Sequence, residues 1–310
     1  MRVFVAGATG VIGRRLLPLL RSDGHEVTGM VRAPRREAAV RELGAEPAIA
    51  DAMDAAAVRG AIEGARPDVV VHELTSLPRR IDPRKLERDF ARNDRLRTDG
   101  TRNLVDAAQA AGVSRIVAQS VAFAYAPGPP GAIHTEDDPL YLDAPKQFAR
   151  TMHAVAELER AVLGAGGLVL RYGYFYGPGS SISRDGTLCQ DLARRRLPVV
   201  GGGRGVWSFI HVDDAARATV QALTNGAGGA YNVVDDDPAP VAEWLPALAQ
   251  AVGAPRPLRV PTLLAYPLAG RYGVLTMTRS QGASNALARR VLAWQPRYAS
   301  WRDGFRLALG

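Results

Sequence analysis

The 310-residue chain holds one cysteine, Cys189, and only two lysines, Lys85 and Lys146. A single cysteine excludes an internal disulfide and any cysteine-rich metal site, so Cys189 reads as a small buried hydrophobe and no metal is expected. No apolar run approaches the roughly 18 residues that cross a bilayer as a helix, so no membrane partner is expected. The opening MRVFVAGATG lacks the charged, apolar and small-residue order of a secretory signal, and the expected location is cytoplasmic. With so little lysine, the net charge of +8 is almost wholly arginine. The arginines are scattered, in short groups at Arg35-Arg36, Arg79-Arg80, Arg194-Arg195-Arg196 and Arg289-Arg290. None is interleaved with aromatics as a nucleic-acid stripe would be, and these groups read as solvated helix faces.

What the chain does have is alternation. Strand-like runs at 2–6, 26–31, 47–49, 69–72, 115–119 and 168–171 are separated by helix-length amphipathic stretches at 11–21, 35–43, 55–63 and 95–111. Strands spaced by helices of this length imply an α/β fold with a parallel sheet covered on both faces. After Tyr176 the pattern loosens into GPGSS, GGGRG and proline-rich loops, with helices expected near 213–223, 241–252 and 285–292. The reading is a Rossmann domain over 1–176, with 205–235 packing back onto it. A smaller substrate-binding lobe is expected from 177–204 and 236–310.

GATGVIG joins the first strand to the first helix. Glycines there permit a tight turn and close approach of the backbone to a pyrophosphate, which the helix N-terminus then faces with free N–H groups and a positive dipole. A glycine pattern in this strand–turn–helix context is a specific signal for a dinucleotide. Gly7, Thr9, Gly10, Val11, Ile12 and Gly13 are the expected contacts. At the end of the second strand an acid would bind a ribose 2′-hydroxyl and favour NAD. Arg32 stands there instead, with Arg35 and Arg36 close behind. A guanidinium fork suits a 2′-phosphate, so NADP(H) is the preferred cofactor, with NAD(H) possible.

The ordered series GATGVIG, Asp51, Asn93 with GTRNLVDAA, the strand ending Gln119-Ser120, LRYGYFYGPG, FIHVDDAARA, YNVVDDDP and SNALARRVLAW resembles the extended short-chain dehydrogenase/reductases of the NAD-dependent epimerase/dehydratase type. The resemblance spans nearly the whole chain. It implies that Asp51 and Ala52 contact the adenine and that Leu74, Thr75 and Ser76 line the cofactor cleft. It also implies that Asn93 supports the site, and that Tyr172, Gly173 and Phe175 flank the nicotinamide. His211, Asp213 and Asp214 would form a structural turn and helix cap rather than a metal site. A homodimer through the helices beside 95–111 is a family habit.

The catalytic signature departs from that family. Its members use a serine with Tyr-x-x-x-Lys on a helix, where lysine lowers the tyrosine pKa one turn away. Aligned on Glu157, Ala149 replaces the tyrosine and His153 the lysine, and no other such spacing exists. Counted back from Tyr125, the serine falls on Val121, with Ser120 one residue off. Ser120, Tyr125 and His153 remain the candidate hydroxyl and proton donors. Trp207 takes the place of the arginine that grips a nucleotide-sugar diphosphate in the family. With Tyr174 it suggests a flatter, more apolar small molecule. The leading expectation is an NADP(H)-dependent oxidoreductase acting on a carbonyl or conjugated alkene of a non-sugar metabolite. The alternatives are an epimerase or dehydratase that retains its cofactor, and a non-catalytic dinucleotide sensor or scaffold.

Overall fold

The computed structural model describes residues 1–78, 80–82, 85–129 and 131–309; Arg79 of the Arg79-Arg80 group lies outside them. The chain begins with β1 (Arg2–Ala6), α1 (Gly13–Ser22), β2 (Glu26–Val31), α2 (Glu37–Glu42), β3 (Glu46–Ile49), α3 (Ala55–Ala65) and β4 (Val69–His72). It continues with α4 (Leu86–Arg95), α5 (Thr101–Ala110), β5 (Arg115–Val121), α6 (Lys146–Gly164), β6 (Leu168–Tyr172), β7 (Tyr174–Tyr176) and α7 (Thr187–Ala193). Next come β8 (Val199–Val200), β9 (Val206–Trp207), β10 (Phe209–His211), α8 (Val212–Gln221), β11 (Gly229–Val233) and β12 (Ala239–Pro240). The last elements are α9 (Val241–Ala251), β13 (Arg259–Val260), α10 (Thr262–Thr278), α11 (Ala286–Val291) and α12 (Trp301–Leu309).

Seven strands form one parallel sheet in the order β11-β6-β5-β4-β1-β2-β3. Successive side chains point to opposite faces of a strand, and the two faces bury different sets. Val3, Val5, Val69, Val71 and Leu170 pack with Leu16, Leu17 and Leu20 of α1 and with Ala215 and Ala218 of α8. Phe4, Val70, Ile116 and Val169 pack with Val58, Ile62, Leu104 and Leu158 on the other side. A further core of Tyr176, Ile182, Trp244, Leu248, Trp301 and Phe305 lies among the later elements. The chain order reverses at β1 and β4, which are neighbours. In doubly wound folds a ligand crevice opens beyond the strand ends at such a reversal.

Two departures from the sequence expectation matter for the site. The single helix expected over 95–111 begins at Leu86 and is interrupted by a π-helical turn, Leu96–Gly100, before α5. Its apolar period is hidden because the buried face carries Asn93, Asp94 and Arg97. The second is α10, unexpected among Pro261, Pro267 and Gly270; Gly270, at φ 65°, breaks its helical path.

Candidate active site

The crevice is built first by glycine. Gly7 has φ +100°, and a Cβ there would lie 2.4 Å from the Glu73 carbonyl oxygen beyond β4. A Cβ on Gly13 would lie 2.4 Å from Gly7 O, while Gly10 N donates back to Gly7 O at 2.9 Å. Only glycine at Gly7 and Gly13 lets β1, α1 and β4 approach this closely. Val11 is half-buried and Ile12 buried. The first turn of α1 carries no acidic residue and Ile12 makes no capping bond, so its positive end is uncompensated. Such a cradle fits a pyrophosphate.

Beside it, Arg32 is exposed just after β2. The exposed Arg36 reaches further, donating from Nη1 to Thr9 Oγ1 at 3.2 Å. Arg14 Nε donates to Thr9 O at 3.0 Å. Asp51 Oδ1 accepts from Met53 N at 3.1 Å, and Ala52 is buried with its carbonyl held by Asn103 Nδ2 at 2.8 Å.

After β4 the chain passes Glu73, Leu74, Thr75 and Ser76. Asn93 is fully buried on α4, and its Oδ1 accepts from Ser76 N at 2.9 Å, so it fixes that segment from beneath. Thr75 is exposed and Leu74 half-buried. Leu74 N donates to His72 Nδ1 at 3.2 Å, which assigns the ring proton to Nε2, 2.9 Å from Thr101 Oγ1. Burial first, and Arg97 second, lower the His72 pKa to about 4, so the ring is neutral. Burial pushes the Glu73 carboxyl up to about 8. Its Oε1 accepts from Tyr172 OH at 3.2 Å, while Oε2 is sealed without a partner.

Three expectations are corrected here. Tyr172 is a core side chain, 0% exposed, its hydroxyl also 2.6 Å from Thr219 Oγ1; it does not present a ring to the crevice. His153 is exposed on the face of α6 that carries Arg150, Glu157 and Arg160, whereas the opposite face supplies Glu159 to the core. It is not brought together with Ser120 and Tyr125. Those two do meet, but in a closed network. Ser120 Oγ donates to Glu159 Oε1 at 2.6 Å, and Glu159 receives Arg171 through two bonds of 3.0 and 2.7 Å. Arg171 Nη1 donates to Tyr125 OH at 2.8 Å, and that hydroxyl donates to Asn232 Oδ1 at 2.7 Å. Both hydroxyl protons are committed inside the protein, and burial pushes the Tyr125 phenol up to about 12.

What lines the open side is aromatic. Phe123, Tyr174 and Trp207 stack in series, with centroids 4.5 and 3.8 Å apart. Pairing of β7 with β10 sets Tyr174 beside Phe209, and Trp207 Nε1 donates to Thr276 O of α10 at 3.0 Å. Past the Gly270 break, Tyr272 stacks on Phe148 of α6 at 3.9 Å. Gly173, where a Cβ would lie 2.7 Å from Ser208 O, lets β7 approach β10. Phe175 is half-buried on Tyr172, 5.4 Å between centroids. Sequence reasoning missed Phe123, Tyr272, Glu73 and the Arg171–Glu159 pair. It also missed Arg97 on the π-helical turn, buried and without a hydrogen bond or ion pair among the described residues; the one signal was an arginine at an otherwise core-facing helix position.

His211 caps α8, its Nδ1 accepting from Asp213 N at 3.2 Å. Asp214 is 0% exposed and accepts from Arg297 N and Tyr298 N at 2.9 Å each. No cluster among the described residues could hold a metal ion, and no described helix is long and apolar enough to cross a membrane.

A parallel sheet with a glycine turn at its switch point defines a Rossmann-type, nicotinamide-dinucleotide enzyme. A family model for the NAD dependent epimerase/dehydratase family matches residues 3–234, and the chain belongs to that family. It is thus an NAD(P)-dependent enzyme of oxidoreductase or epimerase type. The chain is 50% identical over 310 residues to the 3-diazoavenalumate denitrifying reductase of a Streptomyces species, covering 98% of this chain and 99% of that one. It is 29% identical to a 4-hydroxy-2-methyl-3-oxo-4-farnesyl-3,4-dihydroquinoline-1-oxide ketoreductase of Stigmatella aurantiaca, over 82% and 74% of the two chains. The fold matches UDP-glucose 4-epimerase from Thermotoga maritima, solved with UDP-glucose, at TM-score 0.78 and 20% identity over 99% and 97% of the chains.

Proposed function

We propose that the chain is an NADP(H)-dependent reductase that replaces the diazo group of a flat aromatic substrate with hydrogen, releasing dinitrogen. The observation that carries this reading is the missing proton relay. No tyrosine–lysine pair one turn apart exists on α6, the His153 that counting along the motif offers in its place is exposed, and Ser120 and Tyr125 are sealed into the Arg171–Glu159 network. A reduced carbonyl leaves an oxyanion that must be protonated, a transfer contributing about 10²–10⁴ in rate. A diazonium carbon asks for no proton: the incoming hydride pair forms C–H, and the C–N pair departs with N₂, cancelling the positive charge. The relative at 50% identity bears a name that states reduction of a diazo compound with loss of nitrogen.

In this reading Gly7, Thr9, Gly10, Val11, Ile12 and Gly13 hold the pyrophosphate. Arg32 and Arg36 hold the 2′-phosphate, and Asp51 and Ala52 the adenine edge. Leu74, Thr75 and Ser76, braced by Asn93, border the cleft with the backbone of Gly173 and with Phe175. When bound, the reduced nicotinamide supplies a hydride. The chain's own part is to hold, orient and dry the reactants: the Phe123–Tyr174–Trp207 stack gives a planar ring a face to lie on. Residues 177–204 and 236–310 supply much of that lobe. Trp207, with its indole N–H already given to Thr276 O, offers no cation to a diphosphate, which favours a non-sugar substrate.

The test incubates the protein with para-carboxybenzenediazonium and deuterated NADPH. The expected result is benzoate bearing deuterium at the former diazo carbon, formed one-to-one with NADP⁺. Benzoate formed equally fast without protein, or a ketone panel reduced while the diazonium salt is spared, would overturn the reading in favour of carbonyl reduction. Retained NAD(H) with no net consumption would point instead to internal-recycling epimerase chemistry.

A further inference from the structure

Arg97 lies on the π-helical turn Leu96–Gly100, between α4 and α5, and is 8% exposed. It forms no hydrogen bond or ion pair with any described residue. Its nitrogens are not among the sealed, partnerless atoms, a set that includes the neighbouring Asn93 Nδ2 and Asp94 Oδ1. The guanidinium therefore still touches solvent from inside the protein. A π-turn inserted in a helix is costly and concentrates at functional sites, and this one is pinned by Thr101, whose Oγ1 bridges His72 Nε2 and Leu96 O.

The groups whose charge Arg97 feels are Asp94, Tyr272, Glu159 and His72. None forms a hydrogen bond or ion pair with it among the described residues. Glu159 is already bound twice by Arg171. Asp94 attracts Arg97 but accepts its side-chain bond from Thr151 Oγ1, at Oδ2, 3.1 Å away. His72 is neutral. Burial lowers the Arg97 pKa to about 10, which leaves it charged at neutral pH. Buried guanidinium groups ordinarily spend their N–H donors on hydrogen bonds, and those of Arg97 meet no acceptor among the described residues.

Its surroundings say where an acceptor comes from. His72, tied to this turn through Thr101, ends β4 at the switch-point crevice. Tyr272 lies on α10 one turn before Thr276, whose carbonyl holds the Trp207 indole of the aromatic stack. We propose that Arg97 is a substrate-binding residue that receives an oxyanion of the aromatic substrate, a carboxylate or a phenolate, at the inner end of the pocket. This rests on the reductase reading only in taking the substrate to be aromatic.

The experiment titrates the NADP⁺-loaded protein with cinnamate, para-nitrophenolate and neutral cinnamamide, and because NADP⁺ carries no hydride to donate none of them is reduced. The wild type should bind at least one anion more tightly than cinnamamide, and which anion wins separates carboxylate from phenolate. Arg97→Gln should weaken that anion by about ten- to hundredfold without changing cinnamamide or NADP⁺, and Arg97→Lys should recover part of the loss. Equal anion affinity in Arg97→Gln would overturn the proposal. So would an equal loss of NADP⁺ affinity, which would assign Arg97 to the cofactor. Because no turnover is read, failure of the diazo chemistry and failure of this site are distinguishable. If Arg97→Gln loses its fold, Arg97→Lys decides by the same anion-to-amide ratio.

Discussion

At the residue scale, Arg36 reaches the glycine turn from the segment beyond β2. Its bond to Thr9 Oγ1 is one that a 2′-phosphate can replace with a stronger, charge-assisted one. Arg36→Ala is expected to weaken NADPH binding about ten- to hundredfold, and Arg32→Asp likewise, with NADH little affected; paired fluorescence titrations check this. Tyr125 gives a contrasting expectation. Tyr125→Phe removes the acceptor for Arg171 Nη1 and the donor to Asn232, costing about 1–3 kcal/mol of stability. Its diazo-reduction rate should stay at the wild-type level, since the hydroxyl faces inward; a collapse in rate with unchanged melting temperature would reinstate it as a proton donor.

Glu73 makes the folded state pH-sensitive. Its folded pKa, about 8 by burial, lies above an unfolded value near that of free glutamate. The unfolded chain therefore releases its proton first, and the contribution to stability, full at acid pH, is lost as pH rises through about 8. Glu73→Gln keeps an acceptor for Tyr172 and cannot ionise. Its melting temperature relative to wild type should climb between about pH 5 and pH 8 and then level off; a pH-independent difference would show that Glu73 is not the titrating group.

At the scale of elements, the glycine turn is a joint that tolerates no side chain at Gly7 or Gly13. Gly7→Ala would place a methyl 2.4 Å from the Glu73 carbonyl at a φ of +100°, so both melting temperature and dinucleotide affinity should fall sharply. Here the sequence was informative, because a strand, three spaced glycines and a helix impose one geometry. The buried strands were equally legible: VVVH at β4 is buried at all four positions, and a continuous apolar run has few other readings. The π-helical turn was not. The buried face over 86–100 mixes Leu86, Phe90 and Leu96 with Asn93, Asp94 and Arg97, so the apolar period that marks a helix is interrupted, and one arginine among many scattered ones reads as solvated. The aromatic stack was partly legible: Tyr174 and Trp207 stood out, whereas Phe123, just beyond β5, meets Tyr174 only once the chain is folded. Tyr172 and His153 went astray because counting along a motif gives a position on an element but not the face it presents.

Across the whole molecule, Asp214 ties the chain's end to the sheet domain. Its carboxylate takes two half-buried backbone amides at Arg297 and Tyr298, and its carbonyl takes Trp294 Nε1 at 3.1 Å. Asp214→Ala strands both amides at about 1–3 kcal/mol each, so a lowered unfolding midpoint is expected while NADPH affinity in the folded protein persists.

The kinked helix α10 reaches the pocket at two points one turn apart. Tyr272 rests on Phe148, and Thr276 takes the indole hydrogen of Trp207. The Phe148 stack and the anchor of Trp207 thus hang from one stretch of helix beyond the break at Gly270. A substitution that shifts that stretch would move both contacts together, so neither can be tuned alone.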